Sequence, residues 1–196
     1  MASRPPTDAP TGDPRGRELD DLTLARAQRR EPEACRRLVA QYQGAVFALI
    51  GRMLGPARSA VVEDLAQDTF LAVFAGLPGF APGGPARLST WILAIASRRA
   101  IDHLRRHRPV PVGAADVTAD PRLGAVARRD LARAIEAALA DLAPEYRAAF
   151  LLRELHGLDY DEIARALGIE LGTVRSRLAR ARQALRAALS EVAHDD

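Results

Sequence analysis

Lysine is absent from this sequence, so every one of its 28 lysine-plus-arginine residues is an arginine. A guanidinium stays charged at physiological pH and presents a planar fork of donors that matches phosphates and carboxylates. Cysteine occurs once, at Cys35, which excludes an internal disulfide, and its apolar neighbours favour a buried, unreactive thiol. No apolar run is long enough to predict a bilayer span or a signal sequence, so we expect a cytoplasmic protein without membrane insertion of its own.

The small total charge hides local patches of a single sign. The chain has 196 residues and a formal net charge of +3. That length suffices for one large domain or two small ones. Acidic residues gather near Glu63, Asp64 and Asp68, whereas arginines gather at 98–108 and 175–186. The acidic patch suits a protein partner, and the arginine patches suit phosphates.

Apolar periodicity and the positions of glycine and proline predict an all-α protein, in which two small helical domains are joined by a flexible linker. The predicted division is a flexible tail at 1–17, a first domain at 18–107, a linker at 108–127, a second domain at 128–190 and a tail at 191–196. The predicted helices before residue 157 are Asp20–Arg29, Glu33–Leu54, Ala60–Leu77, Ser89–His107, Arg128–Leu142 and Pro144–His156. Ser89 is the candidate N-cap of its helix.

The segment from Asp159 to Arg182 predicts a helix-turn-helix. Asp159 and Glu162 have capping-box spacing, and Gly168 permits the positive φ of a tight turn. The second helix has an apolar stripe and an arginine-rich outer face that fits a major groove, although a solvated surface helix is the alternative. Glu170 stands where serine or threonine is the usual cap, and it either caps poorly or accepts from a cytosine amino group. The candidate DNA contacts are Glu170, Thr173, Arg175, Ser176, Arg177 and Arg180.

Two helices of the first domain carry further candidate surfaces. On the helix after Ala60, a face with two acids and a leucine predicts a docking surface, the alternative being an ordinary solvated acidic stripe. Its members are Asp64, Gln67, Asp68 and Leu71. The helix after Ser89 has an inward apolar stripe, and the arginines outside this stripe face solvent or DNA. Asp102 has the spacing to form ion pairs with some of them. These arginines are Arg98, Arg99, Arg105 and Arg106. Trp91 is expected to pack rather than to contact DNA.

Three motifs in order now resemble a known family. Asp64–Phe74 resembles the core-polymerase-binding helix of sigma region 2, Leu88–Arg106 resembles the following promoter-contacting helix, and the helix-turn-helix corresponds to region 4. With only a short linker between them, the chain resembles an extracytoplasmic-function (ECF) sigma factor across about residues 20–189. The resemblance implies docking of the 64–71 face on the clamp of the large RNA polymerase subunit. It also implies promoter DNA contacts, including a loop with Phe80 and Arg87 that captures a flipped base. Finally, it implies that an anti-sigma factor restrains the protein.

Two other classes of protein compete with this interpretation. A conventional helix-turn-helix regulator would bind operators without acting as a polymerase subunit. An enzyme would need a catalytic or metal centre, for which the only hint is the four-residue spacing of His103 and His107. No glutamate in the hydrolytic pattern accompanies these histidines and no third ligand is placed. We therefore expect no catalysis, no metal site and no cofactor.

Overall fold

The computed structural model describes residues 18–55, 58–107 and 134–192, and the regular secondary structure of these residues is helical throughout. The helices are α1 Asp21–Gln28, α2 Pro32–Leu54, α3 Ser59–Gly76, α4 Leu88–Arg106, α5 at 134–141, α6 Pro144–Glu154, α7 Tyr160–Leu167 and α8 Leu171–Val192. A 3₁₀ turn, Leu77–Gly79, follows α3. The predicted all-α class is confirmed, and the helix ends predicted before residue 157 differ from the described ones by at most two residues, except that the predicted start at Arg128 lies outside the described residues. The predicted tail at 1–17, the linker at 108–127 and residues 193–196 lie outside the described residues. The start of the predicted tail at 191–196 was wrong, because α8 continues to Val192.

Helices α1 to α4 form a first helical unit around α2. Leu38, Val46 and Leu49 on α2 are fully buried, and α2 contacts α1, α3 and α4. The predicted inward stripe of α4 is confirmed, because Leu93, Ala96, Ala100 and Leu104 are all buried. Asp20 caps α1 by accepting from the Thr23 amide at 2.9 Å, so it precedes the helix rather than beginning it.

The start of α4 differs from the prediction that Ser89 is its N-cap. The helix begins at Leu88 with Arg87 at the N-cap position, and the Arg87 side chain makes no capping hydrogen bond. A remote carboxylate takes that role, because Glu18 accepts from the Ser89 amide at 3.3 Å and from the Ser89 hydroxyl. The prediction was wrong because capping rules consider only neighbours in sequence, whereas this cap comes from 71 residues away.

Helices α5 to α8 form a second helical unit that ends in the predicted helix-turn-helix. Asp159 accepts from the Glu162 amide at 2.7 Å, and Glu162 accepts from the Asp159 amide at 2.9 Å, which completes the capping box. Gly168 ends α7 at φ 66°, in the left-handed region that glycine adopts without strain. Helix α8 then packs its stripe of Val174, Leu178, Ala181 and Leu185 against α6 and α7.

The two units also pack against each other, which the sequence did not predict. Helix α4 contacts both α6 and α7, and α2 contacts α6. A second stripe on α4 is therefore buried besides the inward one, and it consists of Thr90, Ala94, Ser97 and Ile101. Most of these side chains are small, which lets two helices approach closely.

Candidate functional site

The predicted docking face of α3 lies on the surface of the first unit. Asp64, Gln67 and Asp68 are exposed, and Leu71 leaves 61% of its surface accessible. The opposite side of α3 is anchored in the core by Leu65, Thr69 and Val73, and the Thr69 hydroxyl donates to the Leu65 carbonyl at 2.7 Å. Because that side is fixed, the four predicted residues are presented together on one rigid helix.

An ion pair joins this acidic face to the arginine-rich helix α4. Arg99 Nη1 lies 3.6 Å from Asp68 Oδ2, and both side chains are substantially exposed. Such surface pairs contribute about 0–1 kcal/mol. The pair is weak enough for a protein partner of Asp68 to displace Arg99.

The loop between α3 and α4 begins with an aromatic pair. Phe80 and Trp91 have ring centroids 5.3 Å apart with a 41° tilt. Gln28 of α1 holds the loop by donating to the carbonyl oxygens of Leu77 at 3.1 Å and Phe80 at 2.7 Å. The other side of Trp91 lies against Gly76, where an added Cβ would come within 2.9 Å of the indole ring. Trp91 thus packs, as expected from the sequence, while remaining partly accessible.

Arg87 is fixed at the far end of this loop by Glu18. The Arg87 Nε lies 3.2 Å from Glu18 Oε1, and the same carboxylate accepts from the Tyr42 hydroxyl at 2.9 Å. Burial, with the nearby Glu18 charge, raises the pKa of Tyr42 and keeps its hydroxyl a donor. Glu18 and Tyr42 are therefore supporting residues that sequence reasoning missed, because no local pattern relates them to the loop.

The predicted arginines of α4 have different surroundings. Arg105 pairs with Glu145 of α6 at 2.5 Å and 2.7 Å, and Arg98 Nη2 lies near the helix-turn-helix glycine, Gly168. Burial raises the pKa of Glu145, but a backbone hydrogen bond and the Arg105 guanidinium outweigh it and lower that pKa overall. Arg106 donates to the Asp102 carbonyl at 3.1 Å rather than to its carboxylate. Two of the predicted DNA contacts of the first unit thus lie against the second unit.

The N-terminal half of α8 presents the predicted DNA-reading residues of the helix-turn-helix. Glu170, Arg175, Ser176 and Arg180 are exposed, whereas Thr173 and Arg177 are half-buried. Glu170 lies just before α8, and its carbonyl accepts from the Val174 amide at 3.1 Å, as the carbonyl of an N-cap residue does. The Ser176 hydroxyl donates to the Thr173 carbonyl at 2.9 Å.

Helix α6 supports the arginines farther along α8. Arg180 donates to the Tyr146 hydroxyl at 2.8 Å, and its guanidinium carbon lies 5.8 Å from the centroid of that ring. Arg182 pairs with Glu154 at 2.8 Å. Sequence reasoning missed Tyr146 and Glu154, because the contacts bridge 34 and 28 residues.

The histidine pair considered as a metal site is an aromatic stack. The rings of His103 and His107 lie 4.4 Å apart, and burial together with the neighbouring His107, Arg58 and Arg106 lowers the pKa of His103. Among the described residues, no group of three or more histidine, cysteine, aspartate or glutamate side chains could hold a metal ion. The same residues include no helix with the length and apolar character required for a bilayer span.

Comparison with known sequences matches both units to one family. Residues 38–110 match the model described as Sigma-70 region 2, and residues 132–185 match the model described as Sigma-70, region 4. The RNA polymerase sigma-H factor of Pseudomonas aeruginosa is 32% identical over 88% of this chain and 94% of its own length. The ECF RNA polymerase sigma-E factor of Escherichia coli is 31% identical over 85% of this chain and 92% of its own length. The match to ECF sigma factor SigE of Mycolicibacterium smegmatis is 37% identical, spanning 76% of this chain but 59% of that protein.

Solved structures give the same fold. The structure of CnrH in complex with the cytosolic domain of CnrY superposes with a TM-score of 0.63 at 29% identity, covering 87% of this chain and 96% of that one. The sigma factor RpoE of Bartonella quintana, solved in complex with the anti-sigma factor NepR, gives a TM-score of 0.61 at 22% identity over 79% of this chain. The latter likeness concerns the fold alone.

Proposed function

Since this chain belongs to the ECF family of RNA polymerase sigma factors, we propose that it binds core RNA polymerase and directs it to promoters. Within this proposal, α3 docks on the clamp of the large subunit and α4 with its loop acts on the upstream element near the start site. Helix α8 reads the distal element. The protein acts in the cytoplasm, where polymerase and promoters are, and it catalyses no reaction itself.

The exposed face of α3 is the observation that carries the docking assignment. Leu71 is an exposed large apolar side chain one turn after Asp68, and an apolar anchor beside charged residues is typical of protein interfaces. Basic groups on the clamp would pair with Asp64 and Asp68. These properties support Asp64, Gln67, Asp68 and Leu71 as the polymerase contacts.

Two separate DNA contacts on one polymerase would act bivalently. In the first unit the assigned residues are Phe80, Arg87, Arg98, Arg99, Arg105 and Arg106, with the Phe80–Trp91 pair offering a stacking surface for an unpaired base. In the second unit they are Glu170, Thr173, Arg175, Ser176, Arg177 and Arg180. Linked sites of modest affinity can together select paired elements at a fixed spacing.

An anti-sigma factor is the proposed regulator. The structures of CnrH with CnrY and of RpoE with NepR both contain a second protein on a sigma-family fold. By analogy, this chain is held inactive by such a partner until a signal releases it. The rival, a regulator that binds operators on its own, is disfavoured because the chain also matches region 2 along 38–110.

Run-off transcription with purified bacterial core polymerase and a library of promoter-proximal fragments tests the proposal. We expect transcript starts only when both proteins are present, sharing two upstream elements at a fixed spacing. Failure to bind core, together with sequence-specific DNA binding by the protein alone, would instead establish the operator-binding regulator.

Leu71→Asp tests the docking face within the same assay. Loss of the apolar anchor should weaken core binding by about tenfold or more. Leu22→Asp is the matched control, because Leu22 on α1 is a similarly exposed leucine, at 69% against 61% for Leu71, outside the proposed face. Equal effects of the two substitutions would contradict the assignment of α3.

A further inference from the structure

The loop between α3 and α4 is held at both ends by the segment that contains α1. At its start, the side-chain amide of Gln28 donates to the Phe80 carbonyl oxygen at 2.7 Å. At its end, Glu18 Oε1 lies 3.2 Å from Arg87 Nε, and the other oxygen of the same carboxylate accepts from the Ser89 amide at 3.3 Å. A single stretch of chain, residues 18–28, therefore fixes both ends of the loop.

Helix α1 is itself firmly attached to the first unit. Asp20 caps its start with both carboxylate oxygens, which accept from the Thr23 amide at 2.9 Å and from the Thr23 hydroxyl at 2.8 Å. Leu24 and Ala27 are buried in the core. Beyond the other end of α1, Arg30 has a left-handed φ of 62° in the tight turn that leads into α2. Because α1 is fixed along its whole length, the two side chains that hold the loop also have fixed positions.

The stretch between the two held ends is rich in glycine and proline and lies on the surface. Residues 81–85 are all exposed, and Gly83 has a left-handed φ of 74°. The Gly84 amide donates to the Ala81 carbonyl at 3.2 Å, which closes a turn. Glycine loses more conformational freedom than any other residue when a chain becomes ordered. A loop of this composition would therefore bind a ligand weakly if its ends were free, because binding would have to order it.

The held ends carry the two groups that capture of an unpaired base requires. Phe80, whose ring centroid lies 5.3 Å from that of Trp91, offers an aromatic face for stacking. Arg87 offers donors for a base edge or a phosphate, and 34% of its side chain stays exposed beside Glu18. Since Gln28 fixes the backbone of Phe80 and Glu18 fixes the guanidinium, the spacing of ring and guanidinium is set before DNA arrives.

We propose that Gln28 and Glu18 are positioning residues for base capture: from α1 and the residues before it, they hold the loop in its base-binding conformation and thereby set how strongly the polymerase-bound protein depends on one nucleotide of the promoter. This inference rests on the proposed function. Both residues act through Phe80 and Arg87 rather than through contacts of their own with DNA. Helix α1 thus serves promoter recognition although it carries none of the residues assigned to DNA.

Scanning the nontemplate strand with abasic sites tests this role. The full chain bound to core polymerase is titrated with single-stranded oligonucleotides that carry the upstream element near the start site, as found by run-off transcription, each with one base removed. For the wild-type protein, loss of the captured base should weaken binding by about tenfold. Gln28→Met keeps a similar side-chain length but removes the donor. It should weaken binding of the intact strand by about fivefold and reduce the penalty at the captured base to about twofold.

Glu18→Asp is the second variant, and it tests the other end of the loop without a change in net charge. Aspartate keeps the carboxylate but withdraws it from Arg87 by one methylene, so the same nucleotide should lose its importance. The matched controls are on α2: Gln43→Met changes an exposed amide, and Glu33→Asp shortens a carboxylate that pairs with Arg36 at 2.6 Å. Neither control should alter the penalty at any position of the strand.

The dependence on one nucleotide separates positioning from a purely structural role. Affinity for core polymerase and for duplex DNA carrying the distal element should be the same in all variants, because α3 and α8 are unaffected. If Gln28→Met and Glu18→Asp weakened binding equally at every abasic position, or left the captured base as important as before, the proposal would be overturned. A wild-type complex that tolerates an abasic site at every position would instead show that the base capture in the proposed function is wrong, and the positioning role would fail with it.

Discussion

At the scale of single residues, the ring of Trp91 leaves no room for a side chain at Gly76. Alanine in an exposed helix interior ordinarily stabilises relative to glycine by about 0.5–1 kcal/mol. A Cβ at Gly76 would lie 2.9 Å from the Trp91 ring, so Gly76→Ala should instead destabilise by about 1–3 kcal/mol. Chemical denaturation measures the change, and the emission of this single tryptophan should shift in the folded state.

Gly44→Ala is the matched control on α2, because nothing lies within 4 Å of its added Cβ. That substitution should stabilise the protein. If both substitutions stabilised the protein, the Trp91 ring would have moved aside at no cost in the free energy of folding, contrary to the prediction.

His156 should make stability depend on pH. It is buried, and burial lowers its pKa from 6.5 to about 4. Above pH 6.5 the imidazole is neutral in both folded and unfolded chains, whereas between pH 6.5 and 4 only the unfolded chain takes up the proton. Stability should therefore fall by about 3 kcal/mol as pH drops through this window.

His156→Leu removes the titrating group and should flatten that part of the profile. The informative quantity is the difference in free energy of unfolding between wild type and variant, measured from pH 7.5 to 4, because carboxylates titrate in both proteins. A difference that does not change with pH would contradict a neutral buried histidine.

At the scale of elements, the capping box controls the orientation of the helix-turn-helix. Asp159→Ala removes the acceptor of the Glu162 amide and should destabilise the protein by about 1 kcal/mol. Because α7 carries α8, DNA binding by the second unit should weaken as well. Asp159→Asn keeps a capping side chain and should preserve both stability and DNA binding. Thermal unfolding and titration with duplex DNA, compared between the two variants, therefore measure the effect of the cap alone.

The sequence predicted best those elements whose determinants are local. Asp159, Glu162 and Gly168 occur within ten residues of one another and specify the beginning and end of α7 by spacing alone. The stripe of Leu93, Ala96, Ala100 and Leu104 was readable because its apolar side chains recur with helical period. The sequence also indicated which faces of α3 and α8 are exposed.

Contacts between distant segments could not be predicted in this way. The second buried stripe of α4 contains Thr90 and Ser97, whose side chains resemble a solvated surface rather than a core. Glu18 caps α4 from before α1, and Arg147 is buried because three carbonyls surround it. Charged residues are rarely buried without partners, and local patterns do not reveal partners that the fold brings together.

At the scale of the whole molecule, Arg147 should make the two units unfold together. Arg147→Ala leaves the Met53, Ala140 and Leu142 carbonyls without their donor and should cost about 3 kcal/mol. We expect calorimetry to resolve two transitions in place of one, since the first unit loses its polar link to α6.

Arg153→Ala is the comparison for Arg147. Arg153 donates to the Leu158 carbonyl at 2.8 Å and stacks on Tyr160, both within the second unit. Its loss should lower stability while preserving a single transition. Two transitions in both variants would mean that coupling between the units does not depend on Arg147.

The two carboxylate oxygens of Glu162 make different contacts, one within α7 and one with the other unit. Oε2 completes the cap of α7, whereas Oε1 meets Thr90 of the other unit. In evolutionary terms, any lineage that needs its helix-turn-helix intact must keep an acid or amide here, and it inherits the contact with α4 as a by-product. Thr90 can then be substituted more easily than Glu162, so sequence divergence at this contact should occur on α4 rather than on α7.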